Sequence, residues 1–453
     1  MTHITEHKRI HLIGIGGCSM SGLASILKNR GYYVQGSDRA ESPFTERLKE
    51  LGVPVFIGHD AKNIGDCDLI IFSAAIKSDN VERAEAKRRG IPELERSEAL
   101  GQLTEGYESV VGIAGCHGKT TITSMLALIC EQGGPDATVH IGGFVDFLNG
   151  GVRLGAHDMF ITEACEYVES FLTLRPTIAL INNIDNDHLD YYGDMEHIVA
   201  AFKKFAALLP ENGLLIGNTD DFRVRALMAE HTGRKLSYGM KDADYTPANI
   251  NYDDNGCPGF DIMFRGEKLM HIQLRIPGEH SVMNAIAAAA VAREIGADDK
   301  CIVSALNAFR NTRRRFEYYG ERNGVKYYHD YGHHPSEIAA TMKAASNVKH
   351  NKLFCVFQCN SYTRAKTLFL NDVTCFNLAD ETLVPDIYPG REKDDDSVHA
   401  RDMVAAINAG GGHATYLGTF ENIRDYLDSH ANAGDLVVTI GSGDVYIQTK
   451  KLL

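Results

Sequence analysis

Residues Gly112–Thr121 read GIAGCHGKTT and determine how the centre of this chain folds. They follow the strand-like run Ser109–Val111 and precede the apolar helical pattern Ile122–Ile129. A glycine-rich turn between a strand and a helix points several backbone N–H groups and the positive end of the helix at phosphate oxygens. In such a loop the Lys119 ammonium can reach the β- and γ-phosphates of a nucleotide, and the Thr120 hydroxyl can ligate Mg²⁺. We therefore predict an ATP site here.

The loop departs at one position from the strict Walker pattern, which has a glycine five residues before Gly118. That position is Ile113, and glycines stand at Gly112 and Gly115 instead. A chance Gly-Lys-Thr at the start of a helix is the alternative interpretation. We favour nucleotide binding because the strand, the glycines, the lysine and the helix follow in the required order. The predicted ATP-binding residues of the loop are Gly115, Cys116, His117, Gly118, Lys119, Thr120 and Thr121.

Length, charge and cysteine usage limit the class of protein. The 453 residues exceed what one hydrophobic core supports and predict about three domains. The formal net charge of -14 argues against nucleic acid as a partner, because a phosphate-backbone binder usually carries a basic face. The ten cysteines form no CxxC pair, and Met1–Arg9 has no apolar signal core, which predicts a cytoplasmic protein without disulfides. No apolar run approaches the roughly 20 residues of a membrane span, so we expect no membrane partner.

The first segment alternates short apolar runs with helical patterns, which is typical of a parallel sheet flanked by helices. We predict strands over Ile10–Ile15, Tyr33–Gly36, Val55–Ile57 and Leu69–Ser73.

The first turn of this segment carries a glycine pattern in which Ser19 replaces the third glycine of GxGxxG, and this weakens a dehydrogenase interpretation. Gly14, Gly16 and Gly17 still let the backbone approach a pyrophosphate, and Asp38 could meet a ribose hydroxyl. A plain tight turn remains the alternative.

The middle segment places polar side chains just past two predicted strands. Glu163 lies in the stretch Ile161–Tyr167, and His188 follows the apolar strand Ile178–Ile181. Open α/β sheets bind ligands at the carboxyl edge, so both are candidate Mg²⁺ or phosphate-region groups, although a helix cap or a surface residue is the common alternative.

Two polar residues further along share one face of an alanine-rich helix. His280 and Asn284 stand at i, i+4 and could contact adenine or ribose. An exposed polar face is nearly as good an interpretation of that spacing.

The last segment is predicted to be another α/β unit, with strands over Leu353–Phe357, Thr382–Ile387 and Leu436–Ile440. It opens with the basic stretch Arg313–Glu317, followed by Tyr328–Pro335 with its paired histidines. A solvated charge run is one interpretation. A cluster of cations that meets nucleotide phosphates and a carboxylate substrate is the other.

Six motifs in this order resemble the Mur ligase family, and the resemblance covers essentially the whole chain. They are Gly14–Gly17, Gly115–Thr121, Glu163–Tyr167, Asn183–His188, Arg314–Glu317 and Asp330–Pro335. The resemblance implies an α/β protein of three domains. They would be a Rossmann-like UDP-sugar domain over residues 1–105, a central P-loop ATPase domain over 106–308 and a Rossmann-like amino-acid domain over 309–453.

The resemblance also implies a reaction in peptidoglycan precursor synthesis. The carboxylate of UDP-N-acetylmuramate would attack the γ-phosphate of ATP, with Mg²⁺, to give an acyl phosphate. The amine of L-alanine would then displace phosphate and form a peptide bond. We expect a cytoplasmic monomer or weak homodimer.

The same resemblance implies roles for individual residues. The UDP-sugar would be bound by Gly14, Gly16, Gly17, Ser19 and Asp38. The nucleotide base side of ATP would meet His280 and Asn284, and Mg²⁺ would be held by Thr120, Glu163 and His188. The amino acid would meet His333 and Arg364. The catalytic set would be Lys119, Glu163, His188, Arg315 and His333.

Four positions depart from the family pattern: Cys116 replaces threonine, Ser281 replaces asparagine, Asn311 replaces glycine and Asn360 replaces histidine. Because asparagine cannot carry a positive charge, the substitution at Asn360 predicts altered activity or an altered choice of amino acid. The alternatives are a murein peptide ligase, a ligase for glycine or serine, a weakly active sensor of UDP-sugar or ATP, and an NAD-dependent oxidoreductase. We favour a working ligase because the other predicted catalytic residues are present.

Overall fold

The computed structural model of the protein describes residues 2–310, 313–369, 373–390, 392–393 and 396–453. Asn311 lies outside the described residues. Within the described chain three β-sheets form, of five, ten and six strands, and each falls inside one of the three predicted segments. The predicted α/β class is confirmed, whereas the boundaries after residues 105 and 308 stay a prediction.

The N-terminal sheet comprises β1 (Arg9–Ile13), β2 (Tyr33–Asp38), β3 (Val55–Ile57), β4 (Leu69–Phe72) and β5 (Glu93–Glu95). Its helices are α1 (Cys18–Asn29), α2 (Pro43–Glu50), α3 (Val81–Arg89) and α4 (Arg96–Thr104). The strand order is β3-β2-β1-β4-β5 and every pair is parallel. The order reverses between β1 and β4, and the crevice at such a reversal is where open α/β sheets bind ligands. The loop after β1 lies at this crevice.

Two strand ends differ from the prediction for local reasons. The first strand ends at Ile13 rather than Ile15, because Gly14 turns the chain with a φ of +82°. The second strand continues from Gly36 to Asp38, because Ser37 pairs with Ile13 on one side and with Phe56 on the other.

The central sheet is built from ten strands and carries six helices. The strands are β6 (Ser109–Ala114), β7 (Ala137–Val145), β8 (Gly150–Arg153), β9 (Ala156–Glu163), β10 (Ile178–Ile181), β11 (Leu214–Asn218), β12 (Arg234–Tyr238), β13 (Tyr245–Tyr252), β14 (Pro258–Phe264) and β15 (Glu267–Gln273). The helices are α5 (Lys119–Glu131), α6 (Leu189–Tyr192), α7 (Met195–Ala206), α8 (Phe222–Glu230), α9 (Glu279–Glu294) and α10 (Asp299–Ala308). The order is β15-β14-β13-β12-β11-β10-β6-β9-β7-β8. Strand β6 therefore has β10 and β9 as parallel neighbours.

The C-terminal sheet comprises β16 (Glu317–Arg322), β17 (Val325–Asp330), β18 (Leu353–Phe357), β19 (Glu381–Pro385), β20 (Ala414–Gly418) and β21 (Leu436–Ile440). Its helices are α11 (Pro335–Asn347), α12 (Tyr362–Arg364), α13 (Ala400–Ala409), α14 (Phe420–His430) and α15 (Val445–Leu452). The order is β16-β17-β21-β18-β19-β20, with β16 antiparallel to β17 and the other pairs parallel. Strand β19 ends at Pro385, two residues before the predicted end, because proline offers no N–H to the ladder.

Contacts within the chain define two compact units. The first comprises Met1–Thr246, Met263–Leu269 and Asn284–Leu306, and the second comprises Pro247–Ile262, Met270–Met283 and Asn307–Leu453. In the described part of the chain, no helix combines the length and apolar character that crossing a bilayer requires. All ten cysteines lie among the described residues and are free thiols.

Candidate active site

Three neighbouring strands of the central sheet end at one edge and carry the predicted ATP site. Strand β6 is followed by the loop Gly115–Gly118, β9 ends in Glu163, and Asn182 follows β10. Parallel strands present their carboxyl ends at the same edge, so these groups converge although they are far apart in sequence. The Thr120 hydroxyl donates a hydrogen bond of 3.1 Å to Oε2 of Glu163.

The backbone of the phosphate loop is shaped to meet a ligand. Gly118 has a φ of +87°, and a Cβ there would lie 2.5 Å from Nδ2 of Asn182 and 2.7 Å from Oδ1 of Asn284. Only glycine fits this conformation and this space. Helix α5 begins directly after Gly118 without a side-chain cap among the described residues, so its first N–H groups face the place where phosphate oxygens would sit.

Asparagine side chains hold this loop from the neighbouring strand. Nδ2 of Asn182 donates to the His117 carbonyl at 2.9 Å, and its Oδ1 accepts from the Tyr238 hydroxyl at 2.6 Å. The His117 N–H donates to Oδ1 of Asn183 at 2.8 Å. The loop is therefore preorganised by the strand beside it.

Lys119 lies at the centre of the loop. Its ammonium donates to both carboxylate oxygens of Glu166, at 2.8 Å and 3.0 Å, and to the carbonyls of Gly115 and Cys116. Burial alone would lower the pKa of Lys119, but the Glu166 carboxylate outweighs burial and raises it. Desolvation alone would raise the pKa of Glu166, but the attraction of Lys119 and the hydrogen bonds from His188 and Lys119 together outweigh it and lower the pKa. The pair is thus charged, and Lys119 is a fixed cation beside the helix start.

A second group of ligating atoms lies next to this ion pair. Glu166, Asp187 and His188 each offer one ligand atom, and these atoms lie within 4.8 Å of one another. Nε2 of His188 is 3.6 Å from Oε1 of Glu166 and 3.5 Å from Oδ2 of Asp187. From the sequence, His188 was predicted to bind a metal together with Thr120 and Glu163, and no role was predicted for Glu166 or Asp187. The feature of the sequence that could have identified Glu166 is its acidic side chain three residues beyond Glu163.

The backbone around this group adopts uncommon conformations. Val168 and Glu169, which follow Glu166, have φ values of 49° and 55°, and His188 has a φ of 58°. A positive φ is costly for a β-branched residue such as valine. Neighbouring contacts must hold these segments in place.

Cys116 is buried inside the phosphate loop. Its Sγ accepts from the Asp185 N–H at 3.2 Å and donates to the Asp185 carbonyl at 3.4 Å. Burial raises the pKa of this thiol well above its ordinary value. Cys116 therefore acts as a small hydrogen-bonded side chain in a place where the family pattern has threonine.

The glycine loop of the N-terminal sheet is held by Asp38. Oδ2 of Asp38 accepts the Gly16 N–H at 2.9 Å, and a Cβ at Gly16 would lie 2.7 Å from Cγ2 of Thr45. The Gly17 N–H donates to the Gly14 carbonyl at 3.1 Å. The ribose contact predicted for Asp38 stays a prediction, and its observed partner is the loop itself.

Helix α1 begins after Gly17, again without a side-chain cap among the described residues. Ser19 in its first turn lies 3.3 Å, by its hydroxyl, from Nε2 of His140 on β7, and it accepts from Arg96 at 3.4 Å. This helix start has the same exposed N–H groups as the start of α5.

In the second compact unit, Glu337 joins two of the predicted catalytic residues. Nη1 of Arg315 is 3.5 Å from Oε1 of Glu337, and the His333 N–H donates to Oε2 at 3.0 Å. Burial alone would lower the pKa of Arg315, but Glu337 and Asp330 raise it. Both basic residues were predicted from the sequence, whereas the carboxylate between them was not.

Three further predicted residues lie in two helices, α9 and α12. Asn284 lies in α9 and its Oδ1 accepts from Asn182 at 3.4 Å. His280 lies in the first turn of the same helix, and its side chain is exposed. Arg364 ends the short α12, where its N–H donates to Oγ of Ser361 at 3.3 Å.

Two of the positions that depart from the family pattern make internal hydrogen bonds. Oγ of Ser281 donates to the Pro277 carbonyl at 2.7 Å. Nδ2 of Asn360 donates to Oγ of Ser442 in a close contact. Both side chains are therefore built into their surroundings.

Comparison with known proteins assigns the chain to a family. Family models match three successive parts: the Mur ligase family catalytic domain over residues 9–108, the Mur ligase middle domain over 113–292, and the Mur ligase glutamate ligase domain over 314–443. This chain belongs to the Mur ligase family. The three matches follow the order of the three sheets, as the motifs predicted.

Individual members of the family are similar over their whole length. A UDP-N-acetylmuramate--L-alanine ligase from Alkaliphilus metalliredigens is 44% identical over 100% of this chain and 98% of its own. The crystal structure of a UDP-N-acetylmuramate-alanine ligase from Thermotoga maritima superposes with a TM-score of 0.81 at 26% identity, covering 98% of each chain. A murein peptide ligase from Psychrobacter arcticus, at 24% identity and a TM-score of 0.69 over 98% of each chain, shares the fold.

Proposed function

We propose that this Mur ligase joins L-alanine to the carboxylate of UDP-N-acetylmuramate at the expense of ATP, in peptidoglycan precursor synthesis. The observation that carries the proposal is the Lys119 ammonium, held by Glu166 at the uncapped start of α5 and next to the Thr120–Glu163 pair. The full-length similarity to alanine-adding ligases supports the choice of substrates.

The proposed chemistry proceeds by two displacements. An oxygen of the substrate carboxylate attacks the γ-phosphorus of ATP, the bond to the bridging oxygen breaks, and ADP leaves. The amine of L-alanine then attacks the acyl carbon, phosphate leaves, and the nitrogen loses a proton. Phosphoryl transfer between anions needs positioning and neutralisation of charge. In the proposal, Lys119 provides both when the triphosphate competes with Glu166 for its ammonium.

The residues present suit Mg²⁺. The metal prefers oxygen ligands, and Thr120 and Glu163 present a hydroxyl and a carboxylate 3.1 Å apart. Glu166, Asp187 and His188 form a second candidate set beside them. Bound Mg²⁺ would offset the charge on the phosphates and orient them.

The amino-acid side of the proposal rests on the second compact unit. Arg315 would contact phosphate oxygens, as in the family pattern, and Glu337, 3.5 Å from its Nη1, would help to orient the guanidinium. His333 and Arg364 would bind L-alanine, and the guanidinium of Arg364 offers a fork for its carboxylate. His280 and Asn284 would lie at the adenine, and the glycine loop with Ser19 and Asp38 would hold the UDP-sugar. We also propose a cytoplasmic monomer or weak homodimer.

The test supplies purified protein with ATP, Mg²⁺, UDP-N-acetylmuramate and one amino acid at a time. Phosphate release and the product mass are measured together. L-alanine-dependent phosphate with a product one alanyl residue heavier supports the proposal. Turnover only with a tripeptide would identify a murein peptide ligase, and preference for glycine or serine would change the amino acid. Tight UDP-sugar binding without turnover would indicate a sensor.

A further inference from the structure

His140 is a buried histidine in the middle of β7 that the proposed chemistry does not use. Its side chain lies between the N-terminal glycine loop and the strand that ends in Glu163. Nε2 is 3.1 Å from the Ser19 carbonyl oxygen and 3.3 Å from Oγ of Ser19. Nδ1 is 3.2 Å from Oγ1 of Thr162, the residue with which His140 pairs across β7 and β9.

The partners determine the protonation of the ring. A carbonyl oxygen can only accept, so Nε2 carries a hydrogen and donates it to Ser19. Burial lowers the pKa of His140 to about 4, with Arg96 acting in the same direction and the Ser19 carbonyl opposing them. The ring is therefore neutral near pH 7, and its unprotonated Nδ1 faces the Thr162 hydroxyl, which also lies within hydrogen-bonding distance of the Glu163 carbonyl, at 3.1 Å. The two ring nitrogens of His140 thus contact two different partners, Ser19 in α1 and Thr162 in β9.

The residues that follow His140 on β7 continue this contact toward the candidate metal ligands. Sγ of Cys18 donates to the Ile141 carbonyl at 3.4 Å. The Gly142 N–H donates to the Glu163 carboxylate, and a Cβ at Gly143 would lie 2.9 Å from Cγ2 of Thr120. Four successive residues therefore contact the start of α1 at one end and the Thr120–Glu163 pair at the other.

The contact with the N-terminal helix leaves no free space. A Cβ at Gly22 of α1 would lie 2.7 Å from Cδ2 of His140. The imidazole is thus confined by the helix on one side and by its two hydrogen-bonding partners at its nitrogens. Added volume at this contact would shift α1 against β7.

We propose that His140 is a positioning residue that sets the glycine loop of the UDP-sugar at a fixed distance from the Thr120–Glu163 pair. The proposal rests on the function proposed above. His140 touches no reacting atom in it. Its effect is to bring the substrate carboxylate, carried by the N-terminal sheet, to the γ-phosphate bound at the central sheet. Misplacement of reacting groups by about 1 Å can cost on the order of 10²-fold in rate.

Two substitutions separate positioning from space filling. In His140→Gln the side-chain amide can reach the place of Nε2 and donate to the Ser19 carbonyl. In His140→Asn a polar group stays near Thr162 but falls short of Ser19. We expect His140→Asn to lower kcat about 10- to 100-fold and His140→Gln to stay within about threefold of the unaltered protein. The dissociation constants of UDP-N-acetylmuramate and of ATP, each measured alone by calorimetry, are expected to change less than about threefold.

A second pair of variants tests the same contact from α1. Gly22→Ala pushes a methyl group against the imidazole and is expected to lower kcat about tenfold, with both dissociation constants retained. Ser25→Ala, one turn further along the same helix, removes a hydroxyl that bonds the Ser21 carbonyl and is expected to leave kcat unchanged. Thermal unfolding of all four variants checks that each is folded.

The outcomes are distinct. Loss of kcat in His140→Asn and Gly22→Ala, with rescue in His140→Gln and intact binding, supports the proposal. Equal activity of both His140 variants, or loss of kcat that follows loss of binding or folding, overturns it. Absence of alanine-dependent product from the unaltered protein contradicts the proposed function instead, and that arm is measured first.

Discussion

The loop after β6 and the loop after β1 both precede an uncapped helix, yet they are equipped differently. Around the first, side chains supply charge: Lys119 and Glu166 form a buried ion pair, and Thr120 bonds Glu163. In the second, the glycines supply space, and the Asp38 carboxylate accepts a hydrogen bond from the backbone N–H of Gly16. Fixed charges stabilise the transfer of a phosphoryl group. A nucleotide that is bound but does not react needs only a loop of complementary shape. Variants in the two loops should therefore fail in different ways.

The largest effect is expected from Lys119→Ala. Removal of the ammonium leaves the transferred phosphate without its fixed cation, so kcat should fall about 10³-fold or more. UDP-N-acetylmuramate binding, measured by calorimetry, should stay nearly intact because that nucleotide is assigned to the other loop. Lys62→Ala, which removes an exposed surface lysine, is the control. Equal loss of turnover and UDP-sugar binding would disprove the division between the loops.

A buried charge also occurs beside the N-terminal sheet, at Glu82 in α3. Glu82 accepts hydrogen bonds from Ser37 and Asn63 and lies 3.3 Å from Nε2 of His11, while the Ser37 carbonyl receives the Gly14 and Ile15 N–H groups. Burial raises the pKa of Glu82, but these hydrogen bonds outweigh it and lower the pKa from 4.5 to about 2. We infer that Glu82 supports the loop through Ser37.

Glu82→Gln should therefore reduce the free energy of unfolding by on the order of 3 kcal/mol at pH 7, from the size of the pKa shift. Because the folded-state pKa is depressed, the stabilisation is complete above pH 4.5 and is lost as the pH falls from there through about 2. Urea unfolding of the full chain at pH 7 and pH 4 checks both points. Glu50→Gln, at an exposed pair with Arg47, is the control. If Glu82→Gln unfolds with the same free energy as the control, Glu82 does not stabilise the glycine loop.

Gly16→Ala tests whether space is what the N-terminal loop supplies. The added Cβ would meet Thr45 at 2.7 Å and Oδ2 of Asp38 at 2.9 Å, so the loop must move. We expect UDP-N-acetylmuramate binding to weaken about 10- to 100-fold, from a displacement of about 1 Å, while ATP binding stays unchanged. Gly106→Ala, where only the end of Arg30 approaches to 3.8 Å, is the matched control. Calorimetry that finds ATP binding weakened as well would contradict the comparison.

The smallest effect is expected in the C-terminal sheet. The Asn360 side chain donates a close hydrogen bond to Ser442. The larger imidazole of Asn360→His should therefore clash with that serine, although histidine is the residue of the family pattern. We expect kcat/KM for L-alanine to fall several-fold, and Ser442→Ala in the same chain to recover part of the loss. The assay is product formation at limiting L-alanine. Higher activity of Asn360→His would show that asparagine is a weakness here.

Strands buried on both faces were predictable because their apolar runs are continuous. The predicted bounds of β10, β18 and β21 are those observed. The short antiparallel pair β7–β8 was not found, since its polar residues and glycines break the alternation that marks a strand.

At the candidate site, the motifs identified individual residues but not the side chains that these residues contact. Glu163 was expected beside the phosphate loop and lies there, bonded to Thr120. The bond between Lys119 and Glu166 joins residues 47 positions apart, and that between His140 and Ser19 joins residues 121 apart. No local pattern determines such contacts, because they depend on which strands become neighbours.

The left-handed backbone at Val168 has a consequence for how this enzyme can be improved. A valine there costs about 1 kcal/mol or more compared with a glycine, which adopts the same φ freely. The chain is therefore less stable than it could be in the segment that follows Glu166, next to the group formed by Glu166, Asp187 and His188. We expect a selection for heat resistance alone to favour Val168→Gly. The same substitution would make the loop after Glu166 more flexible, at a cost in activity.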